Sequence, residues 1–364
     1  MDTDRRRYTP PIVFRCFLVH IFNSKGKTEM KELMKKEQLK DLVSNKKVLF
    51  ITTKNFDYIR NSQEVHELEK HAKSVDTMYS TSKKYIIRIL SIYFKILFGK
   101  MKKYDVVFVG FSPQLILPVL GWKFRKNYVI IDFFISVYDT MAFDRKKFKP
   151  SSLPGKFCKW VDRNTIKKAD HIICDTKAHG RYFCQEFGAK KEDMEVMYLE
   201  GDTSIYYPRE QVKFAEDEGK FVVLYFGSIL PLQGIDTIVE AARLLEKQED
   251  IVIYIIGPME IINVPGNVKN IKWLCQENLA EYIATADLCL AGHFNKHINK
   301  AVRTFPGKAY IYEAMEKAMI LGDNEATREL FSEDGKHYFV EMSNPKALAK
   351  KIMDVKKLEQ WTHP

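Results

Sequence analysis

The chain has 364 residues, 46% of them hydrophobic and 29% charged, with a net charge of +11. These figures describe a soluble globular protein too long for a single core, so about two domains are expected. They exclude collagen-like and low-complexity chains, and no apolar run reaches the roughly 18 residues that a membrane-spanning helix needs.

In chain order, Arg5, Arg6 and Arg7 precede PPIVFRCFLVHIF, which imitates a signal peptide. Arg15 and His20 interrupt that run and no small-residue cleavage site follows it. Residues 1–44 are read as an N-terminal extension, with Met30 or Met34 as a candidate natural start. KKVLFITT (Lys46 to Thr53) then has the unbroken apolar character of a buried parallel strand. A polar helix follows over Asn61 to Lys73. The stretch Tyr85 to Lys103 is a helix pattern mixing apolar bulk with Arg88, Lys95, Lys100, Lys102 and Lys103. DVVFVG, an apolar helix to about Gly121, and NYVIIDFF come next, then a basic loop over Ile135 to Gly155. A helix over Phe157 to Lys168, the strand HIICDT, a helix over Lys177 to Phe187 and the strand MEVMYL close this half.

Pro208 to Gly219 is polar and reads as a linker, after which the alternation restarts. FVVLYFG, a helix over Gly234 to Glu246, IVIYIIG, NIKWL, a helix over Glu277 to Thr285 and DLCLAG lead to a segment rich in cations. That segment, Lys300 to Phe331, carries Lys300, Arg303 and Lys308 before a helix to Lys317, a short strand, and a second helix with Glu325, Arg328 and Glu329. A strand at His337 to Val340 and an amphipathic helix over Pro345 to Leu358 complete the chain; that last helix is expected to pack across both halves. Strands alternating with helices predict doubly wound parallel sheets. The expected division is an extension (1–44), a first domain (45–208), a second domain (209–342) and a terminal segment (343–364).

Six cysteines are scattered without a C-x-x-C pair, which argues for a reducing compartment and against disulfides or zinc. The charge is uneven. Through Pro208 there are 39 Lys/Arg and 24 Asp/Glu, a net of +15, while the remainder is net −4. The first half is therefore expected to face something anionic, either nucleic acid or an anionic membrane surface. Nucleic acid fits worse, because no helix-turn-helix, zinc finger or RNA-binding sheet motif is present. The helix from Tyr85 suits an interfacial position on anionic lipid; a core-facing helix with a solvated basic side is the plain alternative.

Phosphate chemistry concentrates in two places. Gly227 and Ser228 end a strand just before a helix opened by Gln233-Gly234, where the backbone can approach a ligand beyond the strand's carboxyl end. Lys300, Arg303 and Lys308 stand before a helix start, where unpaired N–H groups and cations suit a diphosphate. There is no G-x-G-x-x-G dinucleotide fingerprint and no Walker motif. Taken together, GSILPLQG with its IVEAARLL helix, ADLCLAG, KAVRTFPGKAY and ILGDNEATRELF resemble the donor half of retaining GT-B glycosyltransferases of family 4. The resemblance covers about residues 46–358 and is most specific between Phe221 and Phe331.

It implies a GT-B fold, two Rossmann-like doubly wound domains facing a central cleft, with the acceptor bound by the first and a nucleotide-sugar by the second. It further implies that Gly227 and Ser228 approach the diphosphate, that Arg303 and Lys308 neutralise it, and that the Glu325 to Glu329 helix start lies beneath sugar and phosphates. The helix Tyr310 to Lys317 is expected to carry a ribose-binding carboxylate. Two positions depart from the family: Ser228 and Gln233 replace the usual Arg and Lys, with Arg303, Lys308 and Lys300 as substitutes. Ile311 stands where the ribose-binding Glu is expected, with Glu313 displaced by two. In the first domain, Asp132 and Asp139 are the candidate catalytic carboxylates, Asp139 at the cleft edge.

The expected protein is a cytoplasmic glycosyltransferase, peripheral at the inner membrane face. It would move a sugar from a nucleotide-sugar to a saccharide, lipid-linked acceptor in cell-surface polysaccharide synthesis, with no metal and no cofactor beyond the co-substrate. The alternatives are another GT-B activity, such as a sugar-nucleotide epimerase or phosphorylase, and a non-catalytic partner subunit.

Overall fold

The computed structural model describes residues 38–228, 230–259 and 263–362; the arginine-rich start and the two candidate start methionines lie outside them. Two six-stranded parallel sheets account for the two runs of alternating strand and helix. The first has the order β2-β1-β3-β4-β5-β6, formed by β1 (Lys47–Ile51), β2 (Ser74–Met78), β3 (Val106–Val109), β4 (Tyr128–Asp132), β5 (His171–Cys174) and β6 (Met194–Val196). The second has the order β12-β11-β10-β7-β8-β9, formed by β7 (Phe221–Phe226), β8 (Ile251–Ile256), β9 (Val268–Ile271), β10 (Leu288–Gly292), β11 (Met319–Gly322) and β12 (His337–Val340).

Helices on both faces leave no solvated side, so β3 and β8 are buried at every residue and read as continuous apolar runs. The edge strand β2, SVDTM, has no fully buried residue. Its polar sequence carries no strand signal, and pairing with β1 alone defines it.

In the first domain α1 (Leu39–Val43) and α2 (Ile59–His71) cover one face, with Leu39, Leu42, Val65 and Leu68 packed near Phe50 and Phe108. The opposite face is covered by α3 (Tyr85–Phe98), α4 (Leu117–Leu120), α5 (Leu153–Ile166) and α6 (Lys177–Phe187), through Ile92, Ile96, Leu117, Ile166 and Phe183. Helix α1 lies in the segment assigned to the extension, yet it is an integral part of this domain's core. Helix α3 ends at Phe98 rather than running to Lys103; Met101–Lys103 forms a separate 3-10 turn.

The second domain is layered by α7 (Ile235–Leu244), α8 (Gln276–Thr285), α9 (Gly307–Ala314), α10 (Glu325–Arg328) and α11 (Pro345–Thr362). In α11, Leu348, Ile352 and Val355 are buried in the core shared with α7. The expected packing of this helix across both halves is therefore corrected: its apolar stripe belongs to the second domain. Among the described residues no helix is long and apolar enough to cross a membrane.

Both strand orders reverse direction once, between β1 and β3 and between β7 and β10. In open parallel sheets, ligands bind beyond the strand ends at such switch points. Strands β7 and β10 pair only at Val223↔Leu288 and Leu224↔Cys289. Beyond those pairs the two strands part, and the crevice opens between Tyr225–Gly227 and Leu290–Gly292.

Candidate active site at the domain cleft

The crevice floor is backbone. Gly227, at φ 152°, ends β7 and donates its N–H to the Ile256 carbonyl at 2.9 Å. Gly257 ends β8 at φ 155°, and a Cβ there would stand 2.1 Å from the Gly227 carbonyl oxygen. Only two glycines allow these turns to pack together. Ser228 is exposed beside them.

Lys308, in the first turn of α9, reaches into this corner from the far wall. It is 7% exposed, donates to Gln233 Oε1 and lies 4.7 Å from the Tyr225 ring centroid. The Tyr225 hydroxyl donates to the same amide oxygen at 3.4 Å. A methyl group at Gly227 would sit 3.2 Å from Lys308 Cε, so lysine and turn are in contact. No carboxylate pairs with this ammonium among the described residues, and burial pushes its pKa down to about 7. His293, at the end of β10, is buried; burial first, then Lys308, holds its pKa at about 3. Its ring is neutral and Nδ1 has no hydrogen-bond partner. A buried lysine with no counter-charge is costly, and an anion beside it relieves that cost.

The other cations of the same segment are used differently. Arg303 forms a bidentate contact with Asp139, Nη2 lying 3.1 and 2.9 Å from the two carboxylate oxygens. Its guanidinium stacks 3.6 Å from the Tyr182 ring centroid, and its carbonyl accepts from the Thr176 hydroxyl. Lys300 lies 3.4 Å from Asp144. Both carboxylates belong to the first domain, so these pairs bridge the cleft.

The short helix α10 also bridges it. Glu325 pairs with Arg181. The Glu329 carboxylate accepts the N–H groups of Lys177 and Ala178, each at 2.7 Å, and the Tyr198 hydroxyl at 3.1 Å. Glu329 thereby caps the amino end of α6, where unpaired N–H groups and partial positive charge favour an anion. The expected position of the Glu325 to Glu329 turn beneath a ligand is corrected: one turn is too short to offer a helix field, and both carboxylates are engaged by the other domain.

Three further expectations change. Asp132, considered as a catalytic base, is 1% exposed and accepts Arg60 Nε and Nη2 at 2.7 and 2.8 Å. Fully buried Glu64 lies beside this pair, its pKa pushed well up by burial and then by Asp132. Asp132 is a structural partner. Asp139, also 1% exposed, is tied to Arg303 and not presented to a substrate. Glu313 accepts from His337 Nε2 at 2.8 Å. His337 opens β12, and α9 runs antiparallel to the strands, so Glu313 lies at the end of the sheet opposite Gly227.

Of the predicted donor residues, the fold thus gathers Gly227, Gln233 and Lys308 at one corner, with Ser228 at its rim. It diverts Lys300, Arg303, Glu325 and Glu329 to the domain interface and removes Glu313. Tyr225 and His293 were missed. The strand period of two places Tyr225 on the same side as Gly227, which was a legible signal; nothing local marks His293.

Comparison with known proteins bears on the fold. Residues 220–357 match the family model described as glycosyl transferases group 1. Among solved structures the chain is similar to Anabaena HepE in complex with UDP, with 14% identity and a TM-score of 0.57 over 86% of this chain and 91% of that one. It is similar to sucrose-phosphate synthase from Thermosynechococcus elongatus, with 14% identity and a TM-score of 0.62 over 86% and 90%. A glycosyltransferase from Rickettsia africae is similar at 13% identity and a TM-score of 0.59, over 86% and 89%. Among curated proteins none matches the sequence. The shared architecture is the GT-B fold.

Proposed function

We propose that this chain, a sugar-transferring enzyme of the GT-B fold whose residues 220–357 match the model for glycosyl transferases group 1, moves a hexosyl unit from a nucleotide-sugar to a saccharide acceptor. The observation that carries the donor half of this reading is the corner formed by Gly227, Gln233 and Lys308. It combines a close-approach backbone turn with one buried lysine that no carboxylate neutralises. The diphosphate lies against the Gly227 turn with Lys308 on its charge, which builds as the sugar–phosphate bond breaks. Retention of configuration is the outcome this reading takes, with the departing phosphate accepting the acceptor's proton, since Asp132 and Asp139 are both held by arginine. No metal enters the scheme. HepE, of the same fold, was solved with UDP and with UDP-glucose, which makes a uridine nucleotide the first donor to try.

The acceptor in this reading is lipid-linked and reaches the cleft from an anionic membrane surface on the cytoplasmic side, in the assembly of a cell-surface polysaccharide. A second reading, nucleotide-sugar binding without transfer, is favoured by Ile311 in place of a ribose-binding carboxylate and by the amide of Gln233 at the phosphate corner. Calorimetry with UDP-, GDP- and ADP-sugars followed by mass analysis of products on lipid-linked acceptors separates the readings. Binding with a product one hexose heavier is the expected result. Binding without product selects the second reading, and no binding by any nucleotide-sugar overturns both.

A further inference from the structure

The first domain carries a surface that the sugar-transfer reaction does not explain. Helix α3 buries only a narrow stripe, Arg88, Ile92 and Ile96, although its sequence is apolar nearly all round. Ile86 is 74%, Phe94 60% and Phe98 81% exposed, and the two phenylalanine rings stack at 6.0 Å. The neighbouring helices continue the pattern. Trp122, just after α4, is 53% exposed; on α5, Leu153 is 83%, Phe157 62% and Trp160 52% exposed, with Phe157 and Trp160 stacked at 5.9 Å.

These helices form one layer. All three pack on the same face of the first sheet. Lys123 ties the Trp122 turn to α3 through the Leu97 carbonyl at 2.6 Å, and Lys168, just after α5, reaches the carbonyls of Leu117 and Pro118 in α4 at 3.0 Å. Twelve of the nineteen large exposed hydrophobic residues among the described residues belong to this layer. A patch of that kind marks an interaction surface.

Its charge identifies the partner. Residues 79–168 contain 19 Lys/Arg and 5 Asp/Glu, a net of +14, more than the whole chain's +11. Four of the five acids, Asp132, Asp139, Asp144 and Asp162, are buried. A second copy of this face would set one cationic surface against another, so self-association through a two-fold axis opposes the charge. Apolar and tryptophan side chains flanked by long cations match the boundary of an anionic bilayer, where rings settle at headgroup depth and lysines reach the phosphates.

We infer that the outer surface of α3, α4 and α5 is a docking face for an anionic phospholipid bilayer. Helices α3 and α5 follow β2 and β4 and so begin on the side of the sheet's carboxyl edge, the side on which the cleft opens. Docked this way, the bilayer surface borders the cleft. That use of the face rests on the lipid-linked acceptor proposed above; the face itself does not.

The test is co-sedimentation of the full chain with vesicles of phosphatidylcholine alone or mixed with phosphatidylglycerol. Binding only to the anionic vesicles, declining with salt, is expected. Replacing Phe94, Phe98 and Trp160 together by serine lowers that binding at least about tenfold. Replacing Lys100, Lys102, Arg125 and Lys126 together by glutamine lowers it by a similar factor, about tenfold or more, and flattens the salt dependence. Far-ultraviolet circular dichroism and the thermal midpoint stay close to those of the unaltered chain in both variants, which shows that they are folded. No binding to anionic vesicles, or equal binding by the serine variant, overturns the inference. So does a dimer, seen by sedimentation velocity, that the serine variant disperses, since a second copy then covers the face. Vesicle binding and donor binding are read separately, so failure of one leaves the other standing.

Discussion

Lys308 and Arg303 lie five positions apart in one basic segment, yet the fold gives them opposite electrostatic situations. Arg303 enters the cleft already neutralised by Asp139 and stacked on Tyr182. Lys308 is buried against an amide and a tyrosine ring with no carboxylate at hand. A diphosphate bound as proposed would meet the second cation directly and would have to compete for the first. Equal positive charge in a sequence therefore does not mean equal capacity to bind an anion; that depends on which carboxylates the tertiary structure brings within reach.

The largest test of this difference is Lys308→Ala. It removes the one charge-assisted contact that costs nothing to release, and nucleotide-sugar affinity should fall about 10- to 100-fold. Calorimetry reads this directly; an unchanged affinity means that the diphosphate is not at the Gly227 corner.

Acidity should separate the two cations next. With the Lys308 pKa lowered to about 7, the free protein presents a charged ammonium below that pH and a neutral amine above it. Donor affinity should hold below pH 7 and decline above it, by up to about tenfold per pH unit, and Lys308→Met should abolish the decline. Stability has the opposite sign. Burial disfavours the charged form, so the penalty is fully present below pH 7 and is relieved as pH rises between the folded value of about 7 and the ordinary 10.5. A donor affinity that rises with pH would contradict the assignment.

Smaller effects follow at the clasp. Asp139→Asn releases Arg303 from a full counter-charge, and nucleotide-sugar affinity should improve by about two- to fivefold, part of the worth of one charge-assisted contact. Weaker binding in that variant would show that Asp139 orders Arg303 for the ligand instead of competing with it. The smallest change is Glu313→Gln. Because Glu313 pairs with His337 at the far end of the sheet, donor affinity should not move; a measurable loss would restore it as the ribose partner.

Much of the architecture was legible before the structure. Lys177–Phe187 forms α6 with the expected limits, because Thr176 caps its start and Gly188 at φ 77° ends it. Apolar runs marked ten of the twelve strands closely. Edge strand β2 escaped because its residues are polar, and β9 was displaced because a short half-buried strand carries little pattern. The donor corner was half legible. Motif order named Gly227, Gln233 and Lys308, which the fold brings together, but Tyr225 and His293 join them only through packing.

By itself the sequence determined the two α/β layers, the glycosyltransferase resemblance of the second half and the excess of positive charge in the first domain. Those properties follow from local patterns of apolar residues, glycines and charges, which fold alike wherever they occur. Only the tertiary structure decided which charges remain available. Asp139 lies 164 positions from Arg303, and Asp132 lies 72 from Arg60. No local rule predicts such pairs, because their partners sit on separate elements that only the fold brings together, across the cleft for Arg303 and inside the first domain for Arg60. The same holds for the three-helix face, whose side chains are distributed along more than seventy residues and become one surface when parallel strands align their crossover helices.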